Sequence, residues 1–405
     1  MLSAGRNLQQ VLAVDQCDAG ELIALLTFFF NMSRQRDPDA VDFLRDGECA
    51  VTVHLSRHND IVAVDRGPGL SDDELTRLQA QIREELIAPS SAVVGRDVLF
   101  AGYPVRGFLQ IGAELAILPV PDCAPRPNFL LAEHPFLIEF RLPSSKNYWI
   151  QNARRQHASF QMALFLNLVF SRGVTWYGPR SRNAWAWVDP ASGSRDAYQF
   201  CQLNYCYSGF VRESDQFTDT QPFAKLKEVP ADRYFDDPDA LSDYELTVPS
   251  SLHEQYRSWK ALSRAEERVF FRALYWYYCG GELFDTSVTA GFLAISRAIE
   301  ALLPAQSDEA RCPSCHRAVG PSISRRFRNF LDEFSPPLGT EDATVRQQLY
   351  ATRSKYAHGS GLMLLDEFPL NTGLTHRSSE DRTVLNCAFK LTRRAVLNWL
   401  LKTKA

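Results

Sequence analysis

One stretch near the C-terminus, residues 349–359, has the sequence LYATRSKYAHG. It closes a run of residues at helical spacing, and Gly359 stands where helices commonly end. Arg353 carries a permanent charge, and the imidazole of His358 is a group that can accept or donate a proton. If this chain has a chemistry of its own, we expect it here.

Helical patterns continue outward from this stretch on both sides. Five helices are predicted, at about 250–278, 286–303, 322–334, 341–358 and 380–401. The pair Gly280-Gly281 is predicted to end the first of them, and Pro336-Pro337 the third. A loop is predicted over about 360–378. Residues 251–405 are therefore predicted to form an all-α bundle.

Residues 1–212 show a different pattern, in which helices and strands are mixed. Strand-like runs occur at 48–66 and 98–118, a capping box of Ser71 and Glu74 opens a helix, and an apolar helix spans about 149–171. This order predicts an α+β region rich in antiparallel strands. We interpret it as a sensor or recognition region, with a division into two subdomains near 125–135 as one alternative.

Charge separates the two halves of the chain. Residues 251–405 carry 21 Lys+Arg against 16 Asp+Glu, a net charge of +5, whereas residues 213–250 carry ten acids and three bases, a net charge of −7. Four prolines punctuate this acidic segment, which we interpret as a linker or an extended strap. The basic C-terminal region permits nucleic-acid binding without demonstrating it.

Composition excludes several classes of protein. No apolar run approaches the ~20 residues of a membrane span, and residues 1–6 lack the apolar core of a signal peptide. Nine cysteines, mostly scattered, fit reduced thiols better than a disulfide framework. We expect a cytoplasmic protein that makes no membrane contact.

The spacing of Arg353 and His358 is uninformative taken alone. With 36 Arg and 8 His in the chain, about two Arg–His pairs at a spacing of five to seven positions are expected by chance, and the chain has two, the other being Arg311–His316. On a regular helix, side chains five positions apart point roughly 140° away from each other. One phosphate is therefore reached by both only if the helix ends before His358 or if two copies of the chain share a cleft.

Two segments together resemble the Apea-like branch of the HEPN family: residues 292–303, FLAISRAIEALL, and residues 350–359, YATRSKYAHG. The resemblance covers about residues 255–402. It implies a helical bundle that forms homodimers, and in many members a metal-independent ribonuclease used in defence against phage, including abortive infection. By the same resemblance, the functional residues are Arg353, Ser354 and His358, and the substrate is RNA. A phage-derived trigger or partner protein is expected to act on the N-terminal region. Other members only bind or dimerise.

The residue types suit RNA cleavage. Imidazole can take a proton from the 2′-hydroxyl or give one to the 5′-oxygen, and a helix C-terminus favours a cationic His358 as the acid. Arg353 can stabilise the phosphate, with Glu300 as its predicted anchor, and no cofactor is required. Further RNA contacts are predicted at Arg325, Arg326 and Lys355. The alternative is that Arg353 pairs with an interior acid and His358 merely caps the helix. In that case the protein is a non-catalytic binding or dimerisation module.

Cys312 and Cys315 have the spacing of half a zinc site. The candidates for the other ligands are His316, His376 and Cys387, or the same two cysteines of a second copy. A structural zinc ion is one interpretation, and an ordinary loop with two thiols is the other.

Overall fold

The computed structural model describes residues 8, 12–14, 17–56, 60–89, 91–121, 124, 134–170, 173–176, 185–188, 198–201, 212–220, 223–236, 245–284, 286–304, 322–337, 340–367 and 376–403. A region of mixed helices and sheets comes first, and helices make up the C-terminal region. The predicted order of an α+β region followed by a helical region is confirmed. Among the helices described, none is both long and apolar enough to cross a membrane.

The first sheet is a four-stranded antiparallel meander that packs against two helices. Its elements are α1 (Ala19–Phe30), β1 (Ser33–Asp37), β2 (Ala40–Arg45), β3 (Glu48–Leu55), β4 (Ile61–Arg66) and α2 (Asp72–Ile82), which a π-helical turn extends over Arg83–Ile87. The predicted strands β3 and β4 and the capping box of Ser71 are confirmed. Strands β1 and β2 were not predicted. Every residue of β1 is exposed, so its sequence has no apolar alternation.

The second sheet has the strand order β12-β5-β8-β7-β6, with β9 paired to β5. Its elements are β5 (Ala92–Ala101), β6 (Leu109–Ile111), β7 (Leu115–Pro119), β8 (His134–Pro143), β9 (Val174–Thr175) and β12 (Arg212–Ser214); β10 (Trp185–Val188) and β11 (Tyr198–Cys201) form a separate pair. The long predicted helix is α3 (Tyr148–Val169), which contacts β5 and β8. The sheet's central strands are buried on both faces.

The acidic segment lies against the second sheet. It contains β13 (Glu228–Val229), α4 (Ala231–Asp236) and β14 (Val248–Pro249). Leu226, Leu246 and Val248 join the main core, and the backbone N–H of Thr218 donates to the buried carboxylate of Glu139 at 2.7 Å. Of the two interpretations of residues 213–250, these contacts favour the strap.

The C-terminal region contains seven helices in its described residues. They are α5 (Leu252–Lys260), α6 (Arg264–Phe284), α7 (Val288–Leu302), α8 (Ile323–Phe334), α9 (Thr340–Ala357), α10 (Leu364–Glu367) and α11 (His376–Lys402). Three predictions here were wrong. The first predicted helix is two helices, because Ser263 and Glu266 form a capping box that begins α6. Gly280-Gly281 does not end that helix, and the predicted loop 360–378 contains α10.

The two halves of the chain share one apolar core. The same buried cluster runs from the strands of the second sheet through α3 to α5, α6, α7, α8, α9 and α11. A polar contact also joins them, because the Arg393 guanidinium of α11 donates to the backbone carbonyl of Phe170 at 3.1 Å, just beyond the end of α3. The position of the helical region is therefore fixed by the sheet it packs on.

Candidate functional site

Helix α9 ends where the sequence predicted. Gly359 has a φ of +69°, a conformation that favours glycine. The N–H of Ser360 donates to the Lys355 carbonyl at 3.2 Å, and the N–H of Gly359 donates to the Tyr356 carbonyl at 3.1 Å. This pair of bonds is a Schellman motif. It leaves His358 exposed as the residue that caps the helix.

Arg353 is held one and a half turns earlier by an acid on α7. Its Nε lies 2.7 Å from Glu300 Oε1, and a terminal N–H donates to Oε2 at 3.0 Å. The Arg353 side chain is 20% exposed and that of Glu300 is 16% exposed. The guanidinium also lies 5.9 Å from the centre of the Tyr350 ring. The predicted pairing of Arg353 with Glu300 is confirmed. The Glu300 carboxylate holds the guanidinium in place and occupies one of its edges.

Ser354 and Lys355 lie between the two residues and have different surroundings. Ser354 is half-buried, and its backbone carbonyl accepts a hydrogen bond from the His358 N–H at 3.3 Å. Lys355 is exposed, with its ammonium 5.1 Å from the centre of the Tyr356 ring. A positive charge from Lys355 therefore stands at the surface beside the end of α9.

The two arginines of α8 that were predicted to contact RNA also differ in their exposure. Arg325 is exposed, and its backbone N–H donates to the Ser322 hydroxyl oxygen, which caps α8, at 3.3 Å. Arg326 is half-buried, and its guanidinium donates to the backbone carbonyl of Pro304. Arg325 is therefore accessible to a polyanion, whereas Arg326 already donates one hydrogen bond to the chain that follows α7.

Asp366 is a residue of this region that the sequence analysis missed. Its carboxylate accepts hydrogen bonds from the Ser287 hydroxyl at 2.8 Å and from the backbone N–H groups of Val288 and Thr289 at 2.8 and 2.7 Å. It thereby caps α7 from a distant point in the chain. Desolvation raises the pKa of Asp366, but the hydrogen bonds from Thr289, Ser287 and Val288 together outweigh it and leave the pKa lowered.

The segment after His358 is fastened at two more points. The Met363 N–H donates to the Thr289 hydroxyl oxygen at 2.9 Å, and the Leu364 N–H donates to Asp381 at 2.7 Å. These bonds join the segment to α7 and α11. Asp366 follows a stretch of sequence without helical periodicity, so no sequence pattern predicts its contact with Ser287. The serine just before α7 was itself a visible signal for a helix N-cap.

Neither predicted zinc ligand can be placed, because Cys312 and Cys315 lie within 305–321, outside the described residues. The zinc site stays a prediction. Of the other candidate ligands, His316 lies in the same gap, and Cys387 is half-buried on α11.

The site therefore combines a charge-paired arginine, an exposed histidine just beyond a helix end, and the exposed Lys355; the exposed Arg325 lies on α8, which contacts α9. Such a set can bind a phosphodiester and can exchange protons with it. No family model, curated protein or solved structure matches this chain.

Proposed function

We propose that the C-terminal helices form a HEPN-like ribonuclease that cleaves RNA without a metal ion, as a dimer, with Arg353 and His358 in its active site. The observation that carries the proposal is the end of α9. A Schellman turn sets His358 outside the helix and exposed, while Glu300 holds the Arg353 guanidinium in place one and a half turns before it. Anchoring a phosphate-binding arginine in advance reduces the entropy lost on substrate binding.

The proposed reaction is a transesterification within the RNA. The 2′-oxygen loses its proton and bonds to phosphorus, and the bond from phosphorus to the 5′-oxygen breaks as that oxygen gains a proton. His358 supplies that proton as the general acid, and the His358 of a second copy accepts the first as the base. Arg353 stabilises the charge on the phosphate, with Ser354 beside it. The products are a 2′,3′-cyclic phosphate and a 5′-hydroxyl.

The decisive experiment compares His358→Ala with the unchanged protein on a pool of cellular RNA, with EDTA present. We expect the substitution to lower the cleavage rate by roughly 10²–10⁴-fold, the usual contribution of a general acid or base. The RNA ends are to be mapped, since a 2′,3′-cyclic phosphate is expected. His157→Ala is the matched control, because His157 is also exposed but lies on α3.

Two results would count against the proposal. One is wild-type cleavage by His358→Ala at an unchanged melting temperature. The other is activity that EDTA abolishes, because the mechanism requires no metal. Arg353→Ala is less decisive, since its loss leaves Glu300 unpaired in a site where the carboxylate is 16% exposed and so lowers stability as well.

A non-catalytic binding and dimerisation module is the second candidate, and the ion pair itself favours it. Glu300 neutralises Arg353, and a pair of this kind also occurs simply to join two helices. On this reading Glu300→Gln would change stability alone, whereas the nuclease proposal expects a loss of cleavage that exceeds the loss of folded protein.

The proposed biological setting is defence against phage, with the α+β region sensing a phage-derived trigger or partner protein. This part of the proposal depends on the resemblance of residues 292–303 and 350–359 to the HEPN family. The shared apolar core supports a route between the two regions, because a change in the sheet would be transmitted to the helices that pack on it.

A further inference from the structure

A cleft lies between α5 and the turn that joins β6 to β7, where the helical region meets the second sheet. Its volume is about 660 Å³, and it is lined by Ile111, Gly112, Glu114, His253, Tyr256, Arg257 and Lys260. Volumes of this order are typical of small-molecule sites. None of the lining residues belongs to the Arg353–His358 site.

Cationic side chains predominate in this cleft. His253, Arg257 and Lys260 project from α5 at helical spacing, and Arg257 is exposed. The Lys260 ammonium lies 4.6 Å from the centre of the Trp259 ring and 5.8 Å from that of Tyr256, so the aromatic rings hold it in place. Glu114 is the one carboxylate among the lining residues. An arginine, a histidine and a lysine, Lys260, whose pKa is lowered by burial, therefore face one acid.

Tyr256 adds a hydroxyl donor at the wall of the cleft. The residue is 3% exposed and its ring belongs to the main core. Its hydroxyl makes no hydrogen bond within the described residues, yet it is not one of their fully enclosed unpartnered atoms, so it meets the cleft. Burial, together with the charge of Glu114, raises the pKa of Tyr256 well above its ordinary value. The protonated phenol can donate to a ligand.

The opposite wall of the cleft is a fixed turn. Gly112 has a φ of +55°, and its carbonyl accepts a hydrogen bond from the Gln110 side chain at 3.1 Å. Arg141 of β8 donates to the next carbonyl, that of Ala113, also at 3.1 Å. The turn is therefore tied to its own sheet, and a ligand in the cleft would bridge that sheet and α5.

We propose that this cleft binds a small organic phosphate of mononucleotide size, with Arg257, Lys260 and the Tyr256 hydroxyl as the phosphate-binding groups. The Tyr256 hydroxyl, which meets the cleft, can donate to an acceptor-rich ligand, and the excess of positive charge favours an anion. The volume suits one nucleotide better than a strand. This binding does not depend on RNA cleavage at His358.

The proposal is tested by calorimetric titration of the full chain with inorganic phosphate and with a nucleoside 5′-monophosphate. We expect saturable binding, tighter for the nucleotide. Tyr256→Phe keeps the ring in the core but removes the donor, and it should weaken binding roughly 10-fold or more. The double variant Arg257→Ala/Lys260→Ala should abolish it. Lys390→Ala, a change of an exposed lysine on α11, is the control and should bind normally.

Three results would overturn the proposal: binding of neither probe, unchanged affinity in the double variant, or unchanged affinity in Tyr256→Phe. A further arm separates a small ligand from the phosphates of substrate RNA. If a single-stranded RNA oligonucleotide displaces the nucleotide and loses affinity in the same variants, the cleft serves RNA instead. His358→Ala should bind the nucleotide normally, so that failure here and failure of the nuclease proposal remain distinguishable.

Discussion

Asp366 shows how much one side chain contributes to the surroundings of the candidate site. Its carboxylate caps α7, the helix that carries Glu300, and it does so from the segment that directly follows His358. Two features of the site, the anchor of Arg353 and the chain beyond the histidine, are thus joined through a single acid. A charged acceptor on two backbone N–H groups is also among the stronger kinds of hydrogen bond.

Asp366→Asn keeps the shape of this side chain and removes its charge. We expect the free energy of unfolding to fall by about 1–2 kcal/mol at pH 7. Because the folded pKa of Asp366 is lowered, its stabilisation is present above the unfolded pKa and is lost as the pH falls through the folded one. Urea titrations at pH 7 and below pH ~4 should therefore show the difference between variant and wild type shrinking in acid.

Asp215→Asn is the control for that prediction, because Asp215 is exposed and its substitution should leave both titrations unchanged. A difference between Asp366→Asn and wild type that is the same at every pH would show that the negative charge of Asp366 is not the source of its stabilisation.

Among the helices, the crossing of α6 and α7 depends on two glycines that meet at the contact. A Cβ on Gly280 would lie 2.4 Å from Ile295 Cδ1, and a Cβ on Gly291 would lie 2.9 Å from the Gly280 carbonyl oxygen. Distances this short are not tolerated by real Cβ atoms. The glycines permit a close approach that sets the position of α7, and with it that of Glu300.

Gly280→Ala and Gly281→Ala form a matched pair on neighbouring positions of α6. An added Cβ at Gly281 meets nothing within 4 Å, so that variant should gain about 0.5–1 kcal/mol from helix propensity. Gly280→Ala should instead lose about 1–3 kcal/mol through overpacking against Ile295. Thermal unfolding of both variants checks this, and equal effects at the two positions would show that the crossing is not tight.

At the level of the whole molecule, the composite site requires a second copy. Helix α9 ends between Arg353 and His358, but each chain supplies one His358, whereas the proposed reaction uses one imidazole as the acid and another as the base. An obligate dimer would place the missing base and the second guanidinium across a two-fold axis.

Co-expression of the unchanged chain with His358→Ala tests this arrangement. The proposed site needs the imidazoles of both copies, one as the acid and one as the base, so mixed dimers should be inactive. At equal expression about a quarter of the dimers hold two unchanged chains, so roughly a quarter of the wild-type rate should remain at equal dimer concentration. A rate of about one half in verified mixtures would instead place a complete site within each chain.

The local elements were largely determined by the sequence, because their signals are themselves local. Each of these signals depends on residues a few positions apart. They are the Ser71–Glu74 capping box, the alternation of apolar residues in β3 and β4, the apolar length of α3, and the glycine at position 359 that ends α9. Where prediction failed, a tertiary contact had overridden the local preference. Gly280 stays helical because α7 needs the space, and β1 forms although all of it is exposed, since β2 pairs with it.

The sequence alone made Arg353 and His358 candidate site residues and predicted Glu300 as the anchor of Arg353. Only the tertiary structure decided what surrounds them. Three of these features join residues far apart in the chain: the Asp366 cap on α7, the hydrogen bond from Arg326 to a backbone carbonyl, and the cleft between α5 and the β6–β7 turn. A hydrogen bond between distant residues has no periodicity to reveal it, since it depends on how the core packs rather than on the spacing of the residues it joins.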